Sequence, residues 1–161
     1  MPSKTLLICA GIGLLVIGGM IGGGLFATRG TRLELTGSVR KTRLAALSPE
    51  RSVIILDFRA SNQSDYSFVI KTVEVEVTLA NGKKEIGQFV PGVDANSLFP
   101  ALPVLGDRRA ISIGIGEKIG AKQSVDRMTA ASFSIPESDL AARKDIVLRL
   151  RDVDGPVSEL R

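Results

Sequence analysis

Between Lys4 and Arg29 the chain carries no charge. As a helix, residues 5–28, TLLICAGIGLLVIGGMIGGGLFAT, would reach about 36 Å against a hydrocarbon core of about 30 Å, long enough to cross a bilayer. A cleavable signal peptide has a shorter apolar stretch and small residues at both positions of an A-x-A-like site, and ahead of Ala27 stands Leu25 instead. Only four uncharged residues separate Lys4 from Cys9, too little apolar length for a lipoprotein acceptor. The segment therefore reads as an uncleaved signal anchor. It divides the chain into an amino-terminal head 1–4, a transmembrane helix 5–28, a juxtamembrane linker 29–32 and one folded domain 33–161.

Within the anchor, Gly18 with Gly22 and Gly19 with Gly23 repeat the G-x-x-x-G spacing, which lines small residues along one helix stripe. Two such helices could pack closely, so self-association through the membrane is one expectation. The basic residues Arg29, Arg32, Arg40, Lys41 and Arg43 follow the anchor with only Glu34 among them. They read either as lipid-headgroup contacts, about 1 kcal/mol per cation held near the surface, or as an ordinary solvated stalk and first strand. Orientation is contested. Lys4 and the amino terminus form a short positive head that stays in the cytoplasm, whereas the larger cluster beyond the anchor pulls the domain inward. By analogy with short signal anchors that export small all-β domains, we expect a single-pass cell-membrane protein with its domain outside the cytoplasm.

From Leu33 onward, apolar residues recur with a period of two in short Val- and Ile-rich runs bounded by turn residues, the mark of β structure. Strands are expected over 33–40, 52–60, 68–79, 85–90, 110–115, 127–135 and 146–153. In the third, Val73, Val75, Val77 and Leu79 alternate with Thr72, Glu74, Glu76 and Thr78, giving one packed and one wet side. Asn81-Gly82 is expected to close a hairpin through a type I′ turn. Ser48-Pro49-Glu50 and the segment 136–144, acidic early and basic late, suggest two short helical connectors. About seven strands without βαβ alternation indicate an all-β fold, an antiparallel two-sheet immunoglobulin-like sandwich preceded by the membrane helix.

The longest irregular stretch, 91–109, holds three prolines and the apolar residues Leu98, Phe99, Leu102, Val104 and Leu105. Two readings stand side by side: a plug at one end of the sandwich, or an extended docking loop for a protein partner.

The residue types present exclude most catalytic constellations. The chain has no histidine and a single cysteine, Cys9, so Ser-His-Asp and Cys-His sites and an intramolecular disulfide are impossible within it. With no tryptophan, 4% aromatic residues and a net charge of +4 spread among alternating acids and bases, it has neither a base-stacking platform nor a nucleic-acid face. Ser38-Val-Arg-Lys41 has the spacing of a serine/lysine dyad but falls on a strand. The glycines 114, 116 and 120 lack the G-x-G-x-x-G spacing and a following helix, so they read as turn residues. Asp152-Val-Asp154-Gly155 resembles the opening of a calcium loop without its remaining ligands. No cofactor, metal or catalytic residue is expected. The rival class, a ligand-binding module or enzyme, would use carboxylates such as Asp94, Asp107, Asp152 or Asp154, converging in a pocket.

The run Asp57-Phe-Arg-Ala-Ser-Asn62-Gln-Ser-Asp-Tyr66-Ser-Phe68, followed by Val73-Glu-Val-Glu-Val77 and Asn81-Gly82-Lys83, resembles small membrane-anchored bacterial β-sandwiches related to the water-stress (late-embryogenesis-abundant type 2) domains. Leu98-Phe99, Pro103-Val104-Leu105-Gly106 and the tail Asp152 to Gly155 are similar to uncharacterised bacterial sequences of that kind. The resemblance spans roughly residues 33–155. It implies a fibronectin-like sandwich with a binding, protective or scaffolding role and no catalytic residues. The functional expectation is thus a non-catalytic, membrane-tethered module that makes protein contacts or scaffolds at the cell envelope; the alternatives are the carboxylate-based module and a structural oligomer formed through the Gly-rich helix.

Overall fold

Residues Ser52-Val-Ile-Ile-Leu-Asp-Phe58 break the alternation seen elsewhere, and an apolar run of this kind fits a strand covered on both faces. The computed structural model, which describes residues 34–161, shows that arrangement: all seven are buried, in the middle of strand β2 (Arg51–Asn62). The expected membrane helix, Gly18, Gly19, Gly22 and Gly23, and the cations Arg29 and Arg32 lie outside the described residues. Among those described, no helix is long and apolar enough to cross a membrane.

The other strands are β1 (Leu35–Ser48), β3 (Phe68–Thr78), β4 (Lys84–Val90), β5 (Ile111–Ser112), β6 (Lys118–Ile119), β7 (Ser124–Phe133), β8 (Asp145–Asp152) and β9 (Val157–Leu160). They form one sheet in the order β1-β2-β7-β4-β3-β8-β9, with β5 beside β7 and β6 beside β3. The pairs are antiparallel except β5 with β7. The sheet curls into a half-barrel, bringing its two ends together: the amide of Val39 donates to the carbonyl of Arg161 at 2.9 Å, and that of Leu35 to Ser158 Oγ at 2.7 Å. Inside lies the main core, built from Ile54, Leu56, Phe58, Phe68, Val75, Val77, Phe133 and Leu148, among others.

This overturns the expected two-sheet sandwich. The physical reason sits in β4, whose first half pairs with β3 (Gly87 opposite Val75) and whose second half pairs with β7 (Gln88 opposite Ser132). One short strand thereby joins what would be two facing sheets. Gly87 stands at the handover, where a Cβ would come within 2.5 Å of the Phe133 ring. Alternation specifies which side of a strand is buried, but not which strand lies next to it.

The Asn81-Gly82 hairpin also differs from expectation. Gly82 has φ of 85°, whereas Asn81 does not, so the turn is not type I′. The Gly82 amide donates to Leu79 O at 2.9 Å and the Leu79 amide to Lys83 O at 2.8 Å, the pattern of a type I turn followed by a glycine bulge. Ser48-Pro49-Glu50 forms no helix: β1 runs to Ser48 and a two-residue turn leads into β2. Segment 136–144 does carry a short helix, α2 (Glu137–Ala141), with Glu137 and Asp139 in its first turn.

A second layer covers the outer face of β1, β2 and β7. Helix α1 (Gly92–Ala101) and the 3-10 turn Pro103–Leu105 occupy the stretch expected to be irregular. Pro91 precedes the first turn and Pro103 opens the 3-10 turn, where a missing N–H costs little, whereas Pro100 falls in the last turn of α1 and forgoes the bond to the Asn96 carbonyl just before the helix ends. Ala95 and Leu105 pack here on Ala45, Val53, Ile55, Met128 and Ala130.

Candidate functional site

The outer layer covers the one charge in the buried run 52–58 of β2. Asp57, on the outer face of β2, is 8% exposed and meets the 7% exposed Arg43 of β1: Arg43 Nη2 lies 2.5 Å from Asp57 Oδ2. Arg43 Nη1 also donates to the carbonyls of Leu105 (3.2 Å) and Asp107 (2.8 Å), and its guanidinium carbon lies 5.1 Å from the centre of the Phe99 ring. One side chain thus fastens the 3-10 turn and α1 to the sheet. Asp57 Oδ1 and Arg43 Nε, both buried, have no hydrogen-bond partner among the described residues.

Beyond this pair, where the outer layer ends, the same face opens into a cleft of about 300 Å³. Arg40 and Lys41 of β1 line one side, Asp57 of β2 the floor, and Arg109, Asp126 and Arg127 the side formed by β7 and the approach to β5. A bulge helps to shape it: Val39 pairs with Phe58 and Lys41 with Asp57, leaving Arg40 as the extra residue, which bends the strand. Arg127 Nε holds Glu117 at 2.6 Å, and Asp126 reaches Arg59 only at 4.0 Å. Arg40, Lys41 and Arg109 are exposed and form no ion pair among the described residues.

The basic cluster expected as a headgroup surface is therefore divided. Arg40 and Lys41 line the cleft, while Arg43 is buried and committed to Asp57, which corrects its assignment as a lipid contact: its charge is already neutralised beneath the outer layer. The apolar set is divided too. Leu105 is buried, Leu98, Phe99 and Leu102 are partly buried against the second core, and Val104 is 74% exposed.

The candidate carboxylates do not converge. Asp94 lies in the first turn of α1, and Asp107 is exposed beyond the 3-10 turn. Asp152 is 1% exposed and its oxygens accept the amides of Val69 (2.6 Å) and Asp154 (2.8 Å), so it works as a turn-former. Among the described residues no group of three or more acidic, Cys or His side chains could hold a metal. Near Gly114 the amides are taken internally: Gly114 N donates to Glu117 Oε2 at 3.0 Å and Gly116 N to Ile70 O at 2.7 Å. Ser38 and Lys41 stand on extended β1 rather than on one helical turn.

On the wet face of β4, β3, β8 and β9 one group of charges is matched instead. Lys84 bonds Glu76 at 2.9 Å, and Arg149 bonds Glu76 (2.8 Å), Glu74 (3.0 Å) and Glu159 (2.8 Å). Hydrogen bonds from Arg149, then from Lys84, hold the Glu76 carboxyl at about 2, below the ordinary 4.5. Asn62, in the run that carries the family resemblance, is 1% exposed. Its Nδ2 donates to Tyr66 O (2.7 Å) and Gly120 O (3.0 Å), and its Oδ1 accepts from the Ser64 amide (3.0 Å) and hydroxyl (2.8 Å). It ties the loop after β2 to β6.

Sequence reading missed Asp57, Arg109, Asp126 and Arg127 as neighbours. One signal was present: Asp57 is the lone charge in an apolar run, and a charge buried on both sides demands a buried partner. No family model, curated protein or solved structure matches the chain.

Proposed function

We propose that the chain is a single-pass membrane protein, held by residues 5–28, whose half-barrel acts at the outer side of the membrane by binding rather than by catalysis. The observation that supports this most is the gathering of Arg40, Lys41 and Arg109 around one cleft, on and beside the strand that follows the apolar run. Residues 29–34 separate that run from β1, an extended reach of roughly 25 Å at most, so a contact face on β1 needs no long stalk to work near a bilayer. Of the carboxylates of the enzyme reading, Asp94, Asp107 and the Asp152–Asp154 turn fall on separate elements, and the chain has no histidine to serve as a base.

Photo-crosslinking in intact cells tests the reading. Benzoylphenylalanine placed at position 110, in the cleft, is expected to capture an envelope component, while the same group at position 72, on the wet face, captures little. Protease added outside the cell should digest the domain. Equal capture from both positions, or none from position 110, contradicts the proposal.

A further inference from the structure

We propose that the cleft between β1 and β7 binds a phosphate ester of a polyol, the chemistry shared by a glycerophospholipid headgroup and a free glycerol or sugar phosphate. The inference rests on the reading of a binding module given above and names the ligand of that same cleft. Its foundation is the charge left over. Asp57 is committed to Arg43 and Arg127 is tied to Glu117, so among the described residues the cations at the cleft without an acidic partner are Arg40, Lys41 and Arg109. On the other half of the sheet the Lys84, Glu76, Arg149 and Glu159 ladder shows the contrasting arrangement, in which each of these cations meets an acid. Three cations around one concavity focus a positive potential that draws anions in.

Chemistry narrows the class. Two guanidiniums on opposite sides, with an ammonium beside one of them, present planar donor forks and a point charge suited to tetrahedral phosphate oxygens. Asp126, whose side chain is 66% exposed, adds an acceptor at the edge, suited to a hydroxyl and unfavourable to a bare anion. The cleft, at about 300 Å³, has room for a small ligand such as a glycerol phosphate.

The test uses the full chain, ¹⁵N-labelled, in a maltoside micelle that contains no phosphate. It is titrated with glycerol 3-phosphate, with inorganic phosphate, and with phosphatidylglycerol or phosphatidylcholine doped into the micelle. Saturable amide shifts confined to residues near 40–41, 57–58, 109–110 and 126–127 are expected, with binding at least about tenfold weaker in R40Q/R109Q while its spectrum elsewhere is unchanged. Shifts with phospholipid alone identify a headgroup, and shifts with glycerol 3-phosphate as well identify a free ester; either supports the proposal. Shifts with inorganic phosphate alone, an adventitious ion only, overturn it, as does the absence of saturable shifts with every probe. Crosslinks from position 110 to a protein, with no response to any phosphate ester, would overturn this inference and leave the binding module standing.

Discussion

The guanidinium of Arg43 and the carboxylate of Asp57 form a buried ion pair at the edge of the outer layer, with Nη2 2.5 Å from Oδ2. Arg43 carries a second duty in its bonds to Leu105 O and Asp107 O. Removing one member of a buried pair strands the other charge in a poor solvent, a loss of about 3–5 kcal/mol, whereas replacing both by apolar groups is close to neutral. D57A should therefore lower the urea-unfolding free energy by an amount in that range. R43M/D57L should recover most of it, although the carbonyls of residues 105 and 107 lose their donor.

Glu76 gives the fold an acid dependence of known sign. Its folded carboxyl titrates at about 2 against an ordinary 4.5, because Arg149 and Lys84 hydrogen-bond the charged form. The stability it contributes is complete above pH 4.5 and is lost as the pH falls toward 2. Urea midpoints measured from pH 7 to pH 2 should fall through this window, and E76Q should be less stable at pH 7 with a shallower acid limb.

Phe99 packs against the second core and lies beneath the Arg43 guanidinium. Because it is only partly buried, F99A should cost about 2 kcal/mol, less than a full core Phe deletion. An unchanged melting temperature would instead make Phe99 a free contact residue.

Gly87 allows β4 to pass from β3 to β7 against the Phe133 ring. G87V should destabilise the chain by about 1–3 kcal/mol through overpacking. G87A should also destabilise, because its Cβ would press on both the Phe133 ring and the Ala131 methyl.

Strands were legible where the alternation runs long, as in β3, where Val73, Val75 and Val77 face inward and Thr72 and Glu74 do not, whereas the short β6 and β9 and the second half of β1 fell outside the expected strands. What could not be read was pairing, because nothing in the pattern of residues 84–90 shows that β4 divides itself between two partners. Helix α1 was hidden by its prolines, which signal extended chain unless their places at the turns are known. Of the cleft, Arg40 and Lys41 stood out as part of a basic run. Arg109 and Arg127 join them only through the β2–β7 ladder and the β5 approach, contacts between segments far apart in the chain. Arg43, in the same run, faces the covered side of β1, and no local feature marks that face as covered.

A membrane-held module requires residues 5–28 to anchor it. Sodium carbonate extraction of membranes from cells expressing the full chain, beside a variant lacking residues 5–28, tests it directly. The full chain should remain in the membrane pellet and the variant should appear in the supernatant. Release of the full chain by carbonate would contradict the membrane-held module.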